Sequence, residues 1–300
     1  MSFFNSFITS TLPFLPKWFA EPFAKPYVAG ESKNEAINKI KALNEKGFSA
    51  TVDILGEHIF EKHEAREITS QYCQLYDRIA QESLDCNISF KPTHIGLDIS
   101  LGEALVNTTT ILRKAKEYEN FLRIDMESSH FTDQTFEIYK HCRTIYHNVG
   151  IALQAYLFRS LKDIENLGNG YFNLRVCKGI YHEPESIAYQ KRNEISNNFL
   201  KMAKAMALKK AFAAYATHDQ DLIDRLLRWI KSENIPKDLF EFQVLYGVPM
   251  SGRLENLLSA GYKVRVYVPY GPDWFDYSVR RLRENPNIAG YVLKNLFRLK

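Results

Sequence analysis

Residues 121–156 read FLRIDMESSHFTDQTFEIYKHCRTIYHNVGIALQAY. Both ends of this stretch are short apolar runs, a pattern typical of buried strands. The middle, 133–148, predicts an amphipathic helix, because aromatic residues recur there near a helical period and charged residues fall between them. Asp133 is the expected N-cap of that helix. A strand, a helix and a second strand in this order predict one β-α-β unit of a parallel sheet.

The same alternation extends over most of the chain. It predicts eight β-rich runs, at 49–55, 87–92, 121–126, 150–156, 173–178, 213–217, 240–245 and 263–268. Eight alternations of strand and helix favour a closed α/β barrel, the (β/α)8 TIM-type fold, over an open sheet. Because neither an internal repeat nor a Gly/Ser-rich linker interrupts it, 49–300 is predicted to be one barrel domain. Residues 1–48 are expected to form a helical, aromatic arm that packs on the barrel.

Composition excludes several classes of protein. The 300 residues are 45% apolar and 25% charged, as in an ordinary globular chain. The net charge of +4 comes from basic and acidic residues mixed along the sequence, without the long basic tract expected of a nucleic-acid-binding protein. The four cysteines include no CxxC pair, so neither a zinc site nor a disulfide framework is indicated and a reducing cytoplasm fits best. Cys177 is expected to be a small core residue rather than a nucleophile.

The N-terminal 30 residues bear on localisation. Their uncharged run is too short to span a membrane and has no basic segment of the secretory type before it. We therefore expect a cytoplasmic protein, with a peripheral contact at the inner face of the membrane as the alternative.

Polar residues collect where the apolar runs end. They are Lys91, Asp125, Glu127, Gln154, Arg175, Lys178, Thr217, His218 and Asp219. In a parallel barrel the carboxyl ends of the strands meet at one rim, where catalytic groups lie. Buried charges are costly unless they are paired or bind a ligand, so this rim is the predicted site. The alternative is a set of structural ion pairs, such as Lys91 with Asp125.

Two groups of cations suggest anionic ligands. Arg175 and Lys178, followed by Gly179, would suit a dinucleotide pyrophosphate, although neither a G-x-G-x-x-G nor a P-loop pattern is present. Near the C-terminus, Arg280 and Arg281 lie on a predicted helix, and the planar fork of arginine suits a carboxylate. A solvent-exposed pair is the alternative for these two.

Seven motifs in order resemble those of the proline dehydrogenase family, including the stand-alone bacterial enzymes and the barrel domain of bifunctional proline utilization A. The resemblance covers roughly 48–297. The motifs are Ile54-Leu55-Gly56-Glu57, Arg123-Ile124-Asp125-Met126-Glu127, Gln154-Ala155-Tyr156-Leu157, Arg175-Val176-Cys177-Lys178-Gly179-Ile180-Tyr181, Ala216-Thr217-His218, Tyr267-Val268-Pro269-Tyr270-Gly271 and residues 277–284. Three positions depart from the common pattern: Ile180 where alanine is common, Cys177 where a larger residue or valine is often found, and Asp219 where asparagine is frequent.

The resemblance implies an activity. Such enzymes oxidise L-proline to 1-pyrroline-5-carboxylate by hydride transfer from C5 to N5 of FAD, and the electrons pass to a membrane quinone. This is the first step of proline degradation to glutamate. The product would go to a separate pyrroline-5-carboxylate dehydrogenase, by diffusion or by a transient contact. The alternatives are a barrel acting on another cyclic amine, such as hydroxyproline, and a catalytically silent proline-binding or regulatory protein.

The resemblance also implies roles for individual residues. Asp125 and Arg175 would be catalytic. The proline carboxylate would be bound by Arg280 and Arg281, with help from Lys91. Tyr277 would cover the substrate ring, where a tyrosine accompanies preference for proline over hydroxyproline. Tyr267 would line the pocket, with a core aromatic as an equal alternative. The expected FAD contacts are Met126, Gln154, Arg175, Lys178, Gly179, Ile180, Thr217 and His218.

Overall fold

Eight parallel strands form a closed barrel in a computed structural model of the chain, which describes residues 25–167, 172–275 and 277–278. The strands are β1 Ser49–Ile54, β2 Cys86–Phe90, β3 Leu122–Ile124, β4 Val149–Gln154, β5 Asn173–Cys177, β6 Phe212–Ala216, β7 Phe240–Leu245 and β8 Val264–Tyr270. Each strand pairs with the next, and β8 closes on β1 with Ala50 opposite Val266. The TIM-type barrel and its eight runs are therefore confirmed.

A helix follows each of the first seven strands. The helices are α1 Lys33–Asn44, which precedes β1, then α2 Lys62–Gln81, α3 Leu101–Glu117, α4 Thr132–Ile145, α5 Ser160–Asn166, α6 Arg192–Leu208, α7 Gln220–Ser232 and α8 Arg253–Ser259. Short 3-10 turns occur at Lys25–Tyr27, Pro92–Ile95, Ser129–Phe131 and Lys237–Leu239. No helix in the described part of the chain is both long and apolar enough to cross a membrane.

The predicted helix at 133–148 is present as α4, but its expected N-cap is wrong. The N-cap position is Phe131, which makes no side-chain capping bond. The turn Ser129–Phe131 runs directly into α4, so the chain is already helical when it reaches Asp133. Asp133 instead lies in the first helical turn and accepts a hydrogen bond of 2.6 Å from Arg159.

Apolar side chains fill the layer between the strands and the surrounding helices. Tyr72, Ile88, Leu122, Phe199 and Phe242 are among the fully or almost fully buried members of this core. Burial of this apolar surface is the main force that holds helices on a barrel.

Inside the barrel, by contrast, polar groups join the strands. Arg123 is buried and donates to the main-chain oxygens of Ile151, at 2.9 Å, and Asn173, at 3.0 Å. Arg265 donates to the Glu241 carboxylate at 2.9 Å and to the Ala50 carbonyl at 2.7 Å. The hydrogen bond from Arg265 to Ala50 joins β8 to β1, so this cation helps to close the barrel.

The segment before β1 packs on the barrel. Ala29 donates to the Pro269 carbonyl at 2.8 Å, and the Gly30 carbonyl accepts from Gly271 at 3.0 Å. Gly247, at φ +76°, lies so close to the Pro26 carbonyl that a Cβ there would be 1.6 Å from its oxygen. The described part of 1–48 therefore makes direct main-chain contacts with the barrel, and the boundary at residue 48 remains a prediction.

Candidate active site

A cavity of about 820 Å³ opens at the carboxyl ends of the strands. Every predicted site residue that the structure describes lines it: Lys91, Asp125, Met126, Gln154, Arg175, Lys178, Gly179, Ile180, Thr217, His218, Tyr267 and Tyr277. Arg280 and Arg281 lie outside the described residues. A volume of this size is sufficient for a cofactor-sized ligand.

Arg175, on β5, is the best-anchored cation of the cavity. It is 6% exposed, forms an ion pair with Asp125, and donates to Gln243 at 2.6 Å and to Ser89 at 3.2 Å. Its guanidinium lies 5.1 Å from the centre of the Tyr267 ring. Because several partners hold the guanidinium, its charge has a fixed position when a ligand arrives.

The suggested pairing of Lys91 with Asp125 is not found. The Lys91 ammonium lies 3.3 Å from Asp53 Oδ2 and 3.4 Å from the Gly56 carbonyl oxygen. The partner of Asp125 is instead Arg175, on β5. Lys91 comes directly after β2, and because β2 pairs with β1, its nearest carboxylate is that of Asp53. Burial alone would lower the pKa of Lys91, but the attraction of Asp53 and other nearby carboxylates outweighs it and raises that pKa. The ammonium therefore stays charged.

Asp53 is a site residue that the sequence did not reveal. It is 1% exposed and accepts hydrogen bonds from the hydroxyls of Tyr72, at 2.9 Å, and Tyr267, at 2.7 Å. Burial raises its pKa, and the charge of Asp125 raises it further. A carboxylate inside the buried run 49–55 was the available signal, since a charge in such a run needs a partner.

Glu127 positions the loop that carries Lys91. Its carboxylate accepts from the Thr93 main-chain N–H at 2.9 Å and also from the Thr93 hydroxyl. Burial raises the pKa of Glu127. The residue is 1% exposed, and it fastens the turn after β2 to the end of β3. Its role in this part of the rim is therefore to hold the loop in place.

The opposite side of the cavity presents polar atoms and close backbone. The Gln154 side-chain oxygen is buried without a hydrogen-bond partner in the described part of the chain, while its amide donates to Met126 at 3.4 Å. Gly179, at φ +104°, packs on Tyr156 so tightly that a Cβ would lie 1.4 Å from that ring. His218 Nε2 accepts from the Leu245 N–H at 2.8 Å, which places the ring proton on Nδ1.

Lys178 lies beside the N-terminus of α7, where it forms an ion pair with Asp219. Asp219 also caps this helix, because its side chain accepts from the Leu222 N–H at 3.2 Å. Burial tends to raise the pKa of Asp219, but the contact with Lys178 and the capping bond lower it. A lysine next to a helix N-terminus suits a phosphate group.

Cys177 lies on the cavity wall and is half-buried, whereas the sequence predicted a core residue. The strand β5 ends there, so one side of Cys177 faces the opening. Burial raises its pKa to about 12. It therefore remains a thiol at neutral pH, in agreement with the expectation that it is not a nucleophile.

The exposed Ile180 follows Gly179 at the edge of the cavity. It is 51% exposed, so a side chain larger than the alanine that is common at this position has room there. Tyr277 lines the same cavity and is 8% exposed. Both positions are consistent with contact to a ligand.

Known proteins with sequences similar to this chain include proline dehydrogenases. The family model described as proline dehydrogenase matches residues 36–293. Proline dehydrogenase 1 of Bacillus subtilis (strain 168) is 37% identical over 275 residues, which are 92% of this chain and 91% of that protein. The proline dehydrogenase of Deinococcus radiodurans is 34% identical and is matched over 90% of its length.

A solved structure of proline utilization A from Bdellovibrio bacteriovorus, inactivated by N-propargylglycine, superposes on this fold with a TM-score of 0.81. Its sequence is 26% identical, and the match covers 88% of this chain but 33% of that longer one. These two sequence relatives are matched over 91% and 90% of their length, and the barrel agrees with the fold of the solved structure. The chain belongs to the proline dehydrogenase family.

Proposed function

We propose that this chain is an FAD-dependent proline dehydrogenase that oxidises L-proline to 1-pyrroline-5-carboxylate, the first step of proline degradation to glutamate. The observation that carries the proposal is the fixed Arg175 guanidinium, paired with Asp125 at the floor of a cofactor-sized cavity. A buried cation held by several partners can stabilise negative charge that develops on a ligand during reduction.

The residues around the cavity fit FAD. The Gln154 oxygen, which has no hydrogen-bond partner among the described residues, can accept a hydrogen bond from a ligand, and the backbone at Gly179 allows a close approach. Lys178, beside the N-terminus of α7, would bind phosphate oxygens. The proposed contacts are Met126, Gln154, Arg175, Lys178, Gly179, Ile180, Thr217 and His218. When bound, FAD supplies the acceptor at N5 for the hydride from C5 of proline, and its electrons pass to a membrane quinone.

The substrate side of the cavity carries the other groups. Arg280 and Arg281 would bind the proline carboxylate, with the charged Lys91 as a third cation. Tyr277 and Tyr267 would enclose the ring, because both line the cavity. Asp125 and Arg175 are the proposed catalytic residues, since they form an ion pair at the cavity floor. Enclosure of the ring would exclude water from the reacting carbon.

The proposal extends to the setting of the reaction. Residues 1–48 would be an arm on a catalytic barrel of 49–300, acting in the cytoplasm or at the inner face of the membrane. Pyrroline-5-carboxylate would reach a separate dehydrogenase by diffusion or transient contact.

A substrate comparison tests the choice of proline. With FAD supplied and a water-soluble quinone as acceptor, kcat/KM should be at least about tenfold higher for L-proline than for trans-4-hydroxy-L-proline, because Tyr277 leaves little room at the ring. The measurement is the initial rate against concentration of each amino acid. A preference for hydroxyproline would favour the rival substrate, and proline binding without turnover would favour a silent, proline-binding protein.

A further inference from the structure

Three oxygen atoms form a chain on the floor of the cavity: Asp125 Oδ2, the Tyr267 hydroxyl and Asp53 Oδ2. The hydroxyl lies 2.7 Å from Asp53 and 3.0 Å from Asp125. A phenol has a single hydrogen, so with both carboxylates ionised it can donate to only one of them. These three oxygens thus make two contacts of hydrogen-bond length but share one proton. A second proton would allow both contacts to be hydrogen bonds.

The second proton is best placed on Asp53. Asp125 already forms an ion pair with the Arg175 guanidinium through its other oxygen, Oδ1. Asp53 is more deeply buried, and burial followed by the charge of Asp125 raises its pKa, although Lys91 opposes this. Tyr267 remains a phenol, because burial and the two carboxylates raise its pKa.

Three other ionisable residues that line the cavity are engaged elsewhere. Lys91 keeps its proton, because the surrounding carboxylates raise its pKa. His218 Nε2 already accepts from the Leu245 N–H at 2.8 Å. Asp219 pairs with Lys178 and caps α7. None of these three groups is therefore well suited to take a proton from a ligand on the floor of the cavity.

We propose that the proton lost by the substrate's amine before oxidation passes through the Tyr267 hydroxyl to Asp53, an inference that rests on the proposed function. An N–H bond of the ammonium breaks as an O–H bond forms on the Tyr267 oxygen, and the original Tyr267 proton moves to Asp53 Oδ2. The nitrogen keeps the electron pair, which is then available for the C–N double bond of the product. Tyr267 is the catalytic residue in this step, and Asp53 is a positioning residue that acts through it.

The pH dependence of kcat/KM tests the relay in the FAD-loaded enzyme. Asp53→Asn and Tyr267→Phe should each lower kcat/KM for L-proline about 100-fold at pH 7. Both variants should regain activity as the pH approaches the pKa of free proline's amine, because the substrate then arrives without its extra proton. Variants with reduced activity and a pH profile parallel to that of the original enzyme would overturn the relay.

Tyr72→Phe is the matched control, because it removes the other phenol that donates to Asp53, at 2.9 Å from Oδ1. Tyr72 lies on α2 and bonds Asp53 through Oδ1, whereas the relay runs through Oδ2. Loss of its hydrogen bond removes an influence that lowers the pKa of Asp53, so the apparent pKa should move upward while kcat/KM at its plateau changes less than about threefold. A profile like that of Tyr267→Phe would show a general disturbance of Asp53 and would contradict the relay.

Infrared difference spectra give a second readout that does not depend on rate. Adding L-proline to the FAD-loaded enzyme without oxygen should produce the carbonyl stretch of a protonated carboxyl group, and Asp53→Asn should lack it. A spectrum of the original enzyme without this band would overturn the proposal. If the original enzyme fails to oxidise proline at all, the proposed function itself is wrong, and that result is distinct from turnover with unaltered pH profiles.

Discussion

The buried imidazole of His94 makes the stability of the folded protein depend on pH. It is 3% exposed, and burial and the nearby charge of Lys91 lower its pKa to about 3. The folded protein holds this ring neutral, whereas the unfolded chain binds a proton below about pH 6.5. Stability should therefore fall as the pH drops from 6.5 towards 3, by about 1.4 kcal/mol per pH unit from this residue.

His94→Gln should remove that dependence. Between pH 7 and pH 5, its free energy of unfolding in urea should fall by about 2 kcal/mol less than that of the original protein. The control is His63→Gln, on the exposed surface of α2, which should retain the original slope. Equal pH slopes for the original protein and His94→Gln would contradict the account of the buried ring.

The sequence located the charged residues of the site but not their partners. Lys91, Asp125 and Arg175 could be predicted at the rim, because each stands at or near the end of an apolar run. Their pairing depends on which side chains meet across the barrel, and strand order along the chain does not reveal that. Asp53 was overlooked because it lies within a run instead of after one, and its partner Tyr267 is 214 positions away.

At the scale of elements, the loop after β5 depends on Gly179. A Cβ there would overlap the Tyr156 ring. The residue that carries it would also have to adopt φ +104°, a backbone conformation that favours glycine. Gly179→Ala should lower the free energy of unfolding by about 1 to 3 kcal/mol more than Gly252→Ala, and it should weaken FAD binding. Gly252 is the matched control, because it has φ +78° but a Cβ added there would have no atom of the described residues within 4 Å. Urea unfolding and FAD titration measure the two effects, and equal losses in the two variants would contradict the tight packing.

The elements themselves could be predicted because strands and helices differ in the period of their apolar residues. Their ends were less accurate. Residues such as Lys91 and Tyr156 were assigned to strands, but they lie just beyond β2 and β4, since residue type alone does not show where ladder hydrogen bonds stop. Asp133 failed as an N-cap for a similar reason, because a 3-10 turn had already started the helix.

At the scale of the whole molecule, closure of the barrel assembles the site. It brings Asp53 on β1 beside Tyr267 on β8, and it lets Arg175 on β5 reach Asp125 after β3. The alternation of elements predicted this closure. The ties inside the barrel, such as Arg265 with Glu241, could not be predicted, because alternation does not specify which interior side chains face one another.

Oxidation of proline by a bound flavin is tested by a visible absorption spectrum of the FAD-loaded protein, taken without oxygen before and after L-proline is added. The fixed guanidinium of Arg175 and the polar rim predict that flavin is bound and is reduced by proline. The expected result is therefore flavin bands that bleach when L-proline is added. Flavin bands that persist unchanged at saturating L-proline would contradict it.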